Sequence, residues 1–171
     1  MPVSSDIVRS YMAPRKVLRR QFRAGVGEEQ ALAYVMIACF LFFIAQLPAL
    51  SRAVYLMPDG PEFTTRAVGA FVGGVFFAPL FFYALAAISR LVSKLFGGRG
   101  TWLRARIALF WALLVVSPLV LLRGLVAGFI GAGQAESLVA ALVGIMFLIV
   151  WILGLIEAEK GPMAPPLETP A

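Results

Sequence analysis

Four long apolar runs dominate the chain, at 31–50, 67–88, 107–122 and 138–156. A helix that crosses a bilayer needs roughly 20 apolar residues, because the hydrocarbon core is about 30 Å thick and a helix rises about 1.5 Å per residue. All four runs fit that length or approach it. Each contains at least ten Leu, Ile, Val or Phe residues. On the insertion scale that amounts to roughly −3 to −6 kcal/mol per run, enough to carry one Gln or Pro. Gln46 and Pro48 interrupt the first run, Pro79 sits mid-way in the second, and Pro118 lies in the third. The pattern predicts an all-α fold: a polytopic transmembrane helical bundle with four spans.

The third run has an ambiguous end. Arg123 follows Leu122, and 124–133 is again apolar and rich in Gly. With entry at Ile107, Arg123 falls near the far interface, where a long cationic side chain snorkels to water. Two other readings stay open. Arg123 could be a charge lining a cavity within the bundle. Alternatively, 124–133 could be a short fifth, re-entrant segment, which would extend this region to 133.

Before the first run stands a patterned polar segment, 1–29. Ser4, Ser5 or Asp6 can cap a helix there. At about 100° per residue, Ile7, Val8, Tyr11, Met12, Leu18 and Phe22 share one face, while Arg9, Lys16, Arg20 and Arg23 gather opposite and Arg15 and Arg19 lie at the margin. Pro14 splits the segment into two short helices and suits the first turn of the second. An amphipathic cytoplasmic helix of this kind lies on anionic lipid or docks a partner. Ile7, Tyr11, Arg15, Lys16, Leu18, Arg19, Arg20 and Phe22 are its candidate contact residues. The competing reading is a basic topology signal that packs under the bundle.

Composition agrees with the runs. Apolar residues make up 61% of the 171 and charged residues 14%, against about 45–50% and about 25% in soluble domains. That excludes an ordinary soluble enzyme and a disordered chain. There is no His, so the usual general base and commonest metal ligand are missing. The single Cys39 permits no internal disulfide and no zinc cluster. No acidic residue lies within an apolar run. No cofactor or metal site is expected.

Charge sets the orientation. With four spans, the N-terminal segment, the connection around 89–106 and the tail share one side, which then holds twelve Lys and Arg against three opposite. Both termini are therefore expected in the cytoplasm. The net charge of +6 belongs to that asymmetry. No aromatic-interleaved basic motif points to nucleic acid. The first apolar run starts only at residue 31 and is too long for a cleavable signal, so it is expected to be retained.

Other local features are weaker. Gly69 and Gly73 form a G-x-x-x-G pair in the second run, and Gly124 and Gly128 form another; such pairs let helix backbones approach closely. Gly97-Gly98-Arg99-Gly100 resembles a phosphate-binding loop but lacks its G-x-x-x-x-G-K-[ST] spacing and a preceding strand, so a flexible turn is expected. Trp102 and Tyr55 are placed as interface anchors, and Cys39 as a small packing residue. The Pro-rich tail, 159–171, is expected to be disordered. The membrane domain thus covers 30–158.

Three stretches together resemble a known family. One is Ala13-Pro14-Arg15-Lys16-Val17-Leu18-Arg19-Arg20 leading straight into the first run. Another is the Phe-rich second run ending in basic residues. The third is Gly97-Gly98-Arg99-Gly100-Thr101-Trp102 followed by an Ala- and Leu-rich run. In that order they resemble the bacterial Yip1-domain membrane proteins of the short alphaproteobacterial type, over most of 14–159. The resemblance implies an integral membrane protein of the bacterial inner membrane with about five spans. Eukaryotic relatives are linked to trafficking and small GTPases through an N-terminal cytoplasmic domain. That partner is not expected here, because 1–29 is too short to be such a domain.

For function, the residues favour a non-catalytic scaffold or accessory subunit that contacts the bilayer and either a membrane protein partner or a second copy of itself. The alternative is a small transporter or channel, motivated by Pro in three runs and by Arg123. It has no intramembrane acid and no internal repeat to support it. A membrane enzyme is disfavoured, since nothing pairs a nucleophile with a base; Glu157 and Glu159, two apart, point to different faces of a helix.

Overall fold

The computed structural model describes residues 3–160; the expectation of a disordered tail therefore lies, apart from its first two residues, outside the described residues. The described residues form helices joined by short loops: α1 (Val3–Met12), α2 (Pro14–Arg23), α3 (Glu28–Leu56), α4 (Phe63–Phe71), α5 (Ala78–Leu95), α6 (Trp102–Phe129) and α7 (Gln134–Ala158). A π-helical turn, Val72–Phe77, joins α4 to α5, so Phe63–Leu95 is one continuous rod. Among the described residues, four helices are long and apolar enough to cross a membrane: Glu28–Leu56, Phe63–Leu95, Trp102–Phe129 and Gln134–Ala158.

Every one of these helices outruns its apolar run. The polar extensions include Glu28 and Glu29 at the start of α3, Arg90 and Lys94 in α5, and Arg104 and Arg106 in α6. At about 1.5 Å per residue, all four exceed a core about 30 Å thick. No separate fifth segment forms between 124 and 133, because α6 runs on through Phe129. The physical reason is packing. Gly124 and Gly128 lie so close to α3 that a Cβ on Gly124 would collide with the Ala45 carbonyl and one on Gly128 with Pro48. Those contacts hold 124–129 as helix.

The central helix is α6. Ile107 to Ser117 are all buried, and 67% of its most apolar stretch is covered, against 28% for α3 and 11% for each of the other two spans. Helix α6 is covered from several sides at once, by α3, α5 and α7. Helix α3 packs along it in parallel: Glu28 meets Arg106, Tyr34 stacks edge-on against Trp111 at 5.1 Å, and Arg52 reaches the carbonyls of Gly128 and Phe129. The Arg52 guanidinium thereby satisfies carbonyls that the end of α6 leaves without intrahelical donors. The α4–α5 rod and α7 run antiparallel to α6. Tyr83 packs on Phe110 at 4.8 Å, while α7 pairs Glu136 with Arg123 at one end and sets Gly154 against Ala108 at the other.

Two of the three prolines within the spans, Pro118 and Pro79, have local compensation. Pro118 has no N–H to give to the Leu114 carbonyl four residues back; the Ser117 hydroxyl donates to it instead at 2.8 Å. Pro79 likewise leaves the Val75 carbonyl without its donor. The helix widens just before it, and the Ala78 N–H reaches five residues back to Gly73, a π-type bond of the kind found at such interruptions.

Candidate site: the N-terminal hairpin on the bundle

Helices α1 and α2 fold back on each other around Ala13. Pro14 opens α2 at its first turn, where its fixed φ suits a helix start and its missing N–H costs nothing. The two arms are tied by the ion pair of Asp6 with Arg20. The hairpin lies against α6 and α7 rather than apart from them.

Its inner face is locked by polar contacts in the interior. The Ser10 hydroxyl donates to the Asp6 carbonyl at 2.7 Å and accepts from the Trp111 indole N–H at 3.0 Å, both within buried surroundings. The Tyr11 hydroxyl donates to the Val115 carbonyl at 2.7 Å. Burial pushes the Tyr11 phenol above its ordinary range, which keeps the hydroxyl a donor. Leu18 is fully buried, with its methyl close to the spot a Cβ on Gly154 would occupy. Glycine at 154 makes that approach possible. Phe22 lies under the Arg104 guanidinium at 5.3 Å, a cation–π contact.

Of the expected contact residues, Ile7, Tyr11, Leu18 and Phe22 therefore turn onto the bundle's own core. Val8 and Met12, from the same predicted face, stay outside; Met12 is 92% exposed, the most exposed large apolar side chain of the described residues. The split lies within α1 itself: Val8 and Met12 follow Ile7 and Tyr11 by one position, about 100° around the helix, so with Ser10 and Tyr11 turned onto α6 they face away from it. Arg15, Lys16 and Arg20 are exposed. Arg19 instead joins Glu157 at 2.6 Å and 3.2 Å, and this bond and charge raise its guanidinium above the ordinary value. Lys160 shares the same carboxylate at 2.7 Å, and the Glu157 side chain is only 3% exposed.

The glycine-rich loop has a different occupant from the one its sequence suggests. The Gly100 N–H donates to the Glu159 carboxylate at 2.8 Å, the Arg99 N–H to the Glu159 carbonyl at 3.3 Å, and Arg90 reaches the carboxylate at 3.3 Å. A Cβ at Gly98 or Gly100 would strike that carboxylate. Gly97, at φ 80°, supplies the left-handed turn that starts the loop. The loop thus closes on an anion, and the anion belongs to the chain itself.

The two small-residue pairs have different surroundings. Gly124 and Gly128 sit against α3, whereas nothing lies within 4 Å of a Cβ built on Gly69 or Gly73. Arg123 pairs with Glu136 at 2.7 Å. It lines a cleft of about 130 Å³ with Phe42, Ala45, Gln46 and Val120. Trp102 and Tyr55 are exposed, near opposite ends of the bundle. Among the described residues no three His, Cys, Asp or Glu side chains gather as a metal site. Sequence reasoning missed Ser10, Glu157 and Glu159. The signal for the last two was their position directly beyond an apolar run, where an acid needs a cation.

A family model described as the Yip1 domain matches residues 9–164. No curated protein and no solved structure matches the chain.

Proposed function

The chain belongs to the Yip1 domain family, and from that premise we propose that it is a scaffold or accessory subunit of a bacterial inner membrane, without catalysis of its own. It works through helix–helix contacts and through contacts at the membrane surface. The observation that carries this reading is the uneven covering of the bundle. Helix α6 is enclosed, while the α4–α5 rod leaves Val68, Val72, Phe76, Phe77, Leu80 and Phe81 uncovered, with open space at Gly69 and Gly73 between them. A ridge of large side chains beside two glycines accommodates a neighbouring helix as readily as lipid.

The orientation we propose has both termini in the cytoplasm. Twelve Lys and Arg lie toward the end shared by the start of α3, the end of α5, the start of α6 and the end of α7, against three at the other. That is the bias cytoplasmic loops carry. Reporter fusions after residue 171 and within 57–62 test it. A C-terminal reporter active only outside the cytoplasm overturns the orientation.

Purification in mild detergent tests the role. A stoichiometric membrane protein, or a second copy, retained by the native chain and lost in Gly69→Leu/Gly73→Leu supports the scaffold reading. A monomer that passes a solute through liposomes overturns it in favour of a transporter.

A further inference from the structure

A cleft of about 300 Å³ opens on the outer side of the N-terminal hairpin, lined by Arg9, Met12, Ala13, Lys16, Val17 and Arg20. Its lining is almost wholly apolar: Arg9, Lys16 and Arg20 contribute their carbon stems to it and carry their charged ends outside it. The hairpin has a single carboxylate, Asp6, which is paired with Arg20.

The position of the cleft along the bundle determines what can reach it. Leu18, next to Val17, packs on Gly154, which also faces Ala108, just inside the apolar runs that begin at 107 and end at 156. Tyr11, next to Met12, meets Val115, seven residues farther along α6 and so about 10 Å deeper. The cleft therefore runs from the polar layer of Arg19–Glu157 and Arg106–Glu28 down beside the apolar spans. Met12 and Val8, both largely exposed, continue its apolar floor outward. Long basic side chains at that depth extend toward the surface while their stems stay in the apolar layer.

We propose that this cleft binds one anionic phospholipid of the leaflet on the termini side. Its phosphate sits among Arg9, Lys16 and Arg20, and the upper part of an acyl chain lies along Met12, Ala13 and Val17. Charge complementarity selects the headgroup, and the apolar floor selects a lipid over a soluble phosphate. The proposal deepens the membrane-surface contact proposed above, but it stands without a protein partner.

The test is native mass spectrometry of the full-length protein in detergent, titrated with phosphatidylglycerol or with phosphatidylcholine of the same chains. Phosphatidylglycerol is expected to bind in clear preference. Arg9→Gln/Lys16→Gln should weaken it about 30-fold, toward the phosphatidylcholine level, and Lys16→Gln alone about fivefold. Arg9→Lys/Lys16→Arg should keep the preference. If the double variant does not fold, the single exposed Lys16→Gln decides. Equal binding of the two lipids by the native chain, or unchanged binding by Lys16→Gln, overturns the proposal. So does displacement of the lipid by an equal concentration of glycerol phosphate. A chain that selects phosphatidylglycerol but purifies without partner or second copy keeps the cleft and loses the scaffold role.

Discussion

The Tyr11 hydroxyl donates to the Val115 carbonyl at 2.7 Å, joining a short N-terminal helix to the middle of the most buried span. One turn away, the Trp111 indole donates to Ser10. Two neighbouring residues of α1 thus engage two positions on one stretch of α6, and the contact at Val115 comes just before the Pro118 interruption.

Tyr11→Phe should lower stability by about 1 kcal/mol, the net worth of a typical hydrogen bond. Ser10→Ala should cost about 1–3 kcal/mol, because the buried Trp111 N–H would lose its acceptor. Unfolding by SDS in mixed micelles reads both. An unchanged midpoint for Ser10→Ala would show that the hairpin does not hold this position.

The glycine pairs should respond in opposite ways. Gly124→Ala and Gly128→Ala push α6 away from Ala45 and Pro48 and should each cost about 1–3 kcal/mol or more, as overpacking does. Gly69→Ala and Gly73→Ala, with open space around the new methyl, should be neutral or stabilise by up to about 1 kcal/mol. The same unfolding assay ranks all four, and equal losses would sink the contrast.

Arg19→Glu sets a like charge beside the nearly buried Glu157 and should loosen α2 from α7. Hydrogen exchange at the amides of α2 should speed up while that of α6 stays slow. Exchanging the pair, Arg19→Glu with Glu157→Arg, should recover part of the protection, although Lys160 then faces an arginine. No recovery in the exchanged protein would mean the pair contributes nothing specific.

Cys39, on the inner face of α3, is buried in the core. A maleimide should leave it unlabelled in native micelles and modify it fully in SDS. Rapid labelling of the native protein would place the thiol on an accessible surface.

The four spans were legible because a continuous apolar run needs no knowledge of its neighbours. The helix ends were not, because their extensions are stabilised from elsewhere. Glu28 is paired with Arg106 and Glu159 with Arg90, so helix persists where hydropathy has already fallen. Arg123 looked like a helix end for the same reason. Its partner Glu136 stands on the next helix, and the Gly124 and Gly128 contacts lie on α3, about 80 positions back. In the N-terminal segment, Pro14 announced the break between two helices. The destination of their faces could not be read there: Ser10 counts as one polar residue in any periodicity, and only its meeting with Trp111, 101 residues on, makes it part of the interior.

Those separations also order the protein's birth. The hairpin leaves the ribosome before the four spans, and Val115 lies 104 residues after Tyr11 and Glu157 lies 138 after Arg19. At about 5–20 residues per second, its docking surface on α6 is completed roughly 5–20 s later, and the one on α7 later still. The N-terminal helices must wait, unanchored, while the spans are inserted one after another. They close onto the bundle as its final piece, so chains that stop before α7 would leave this segment open to proteases and chaperones.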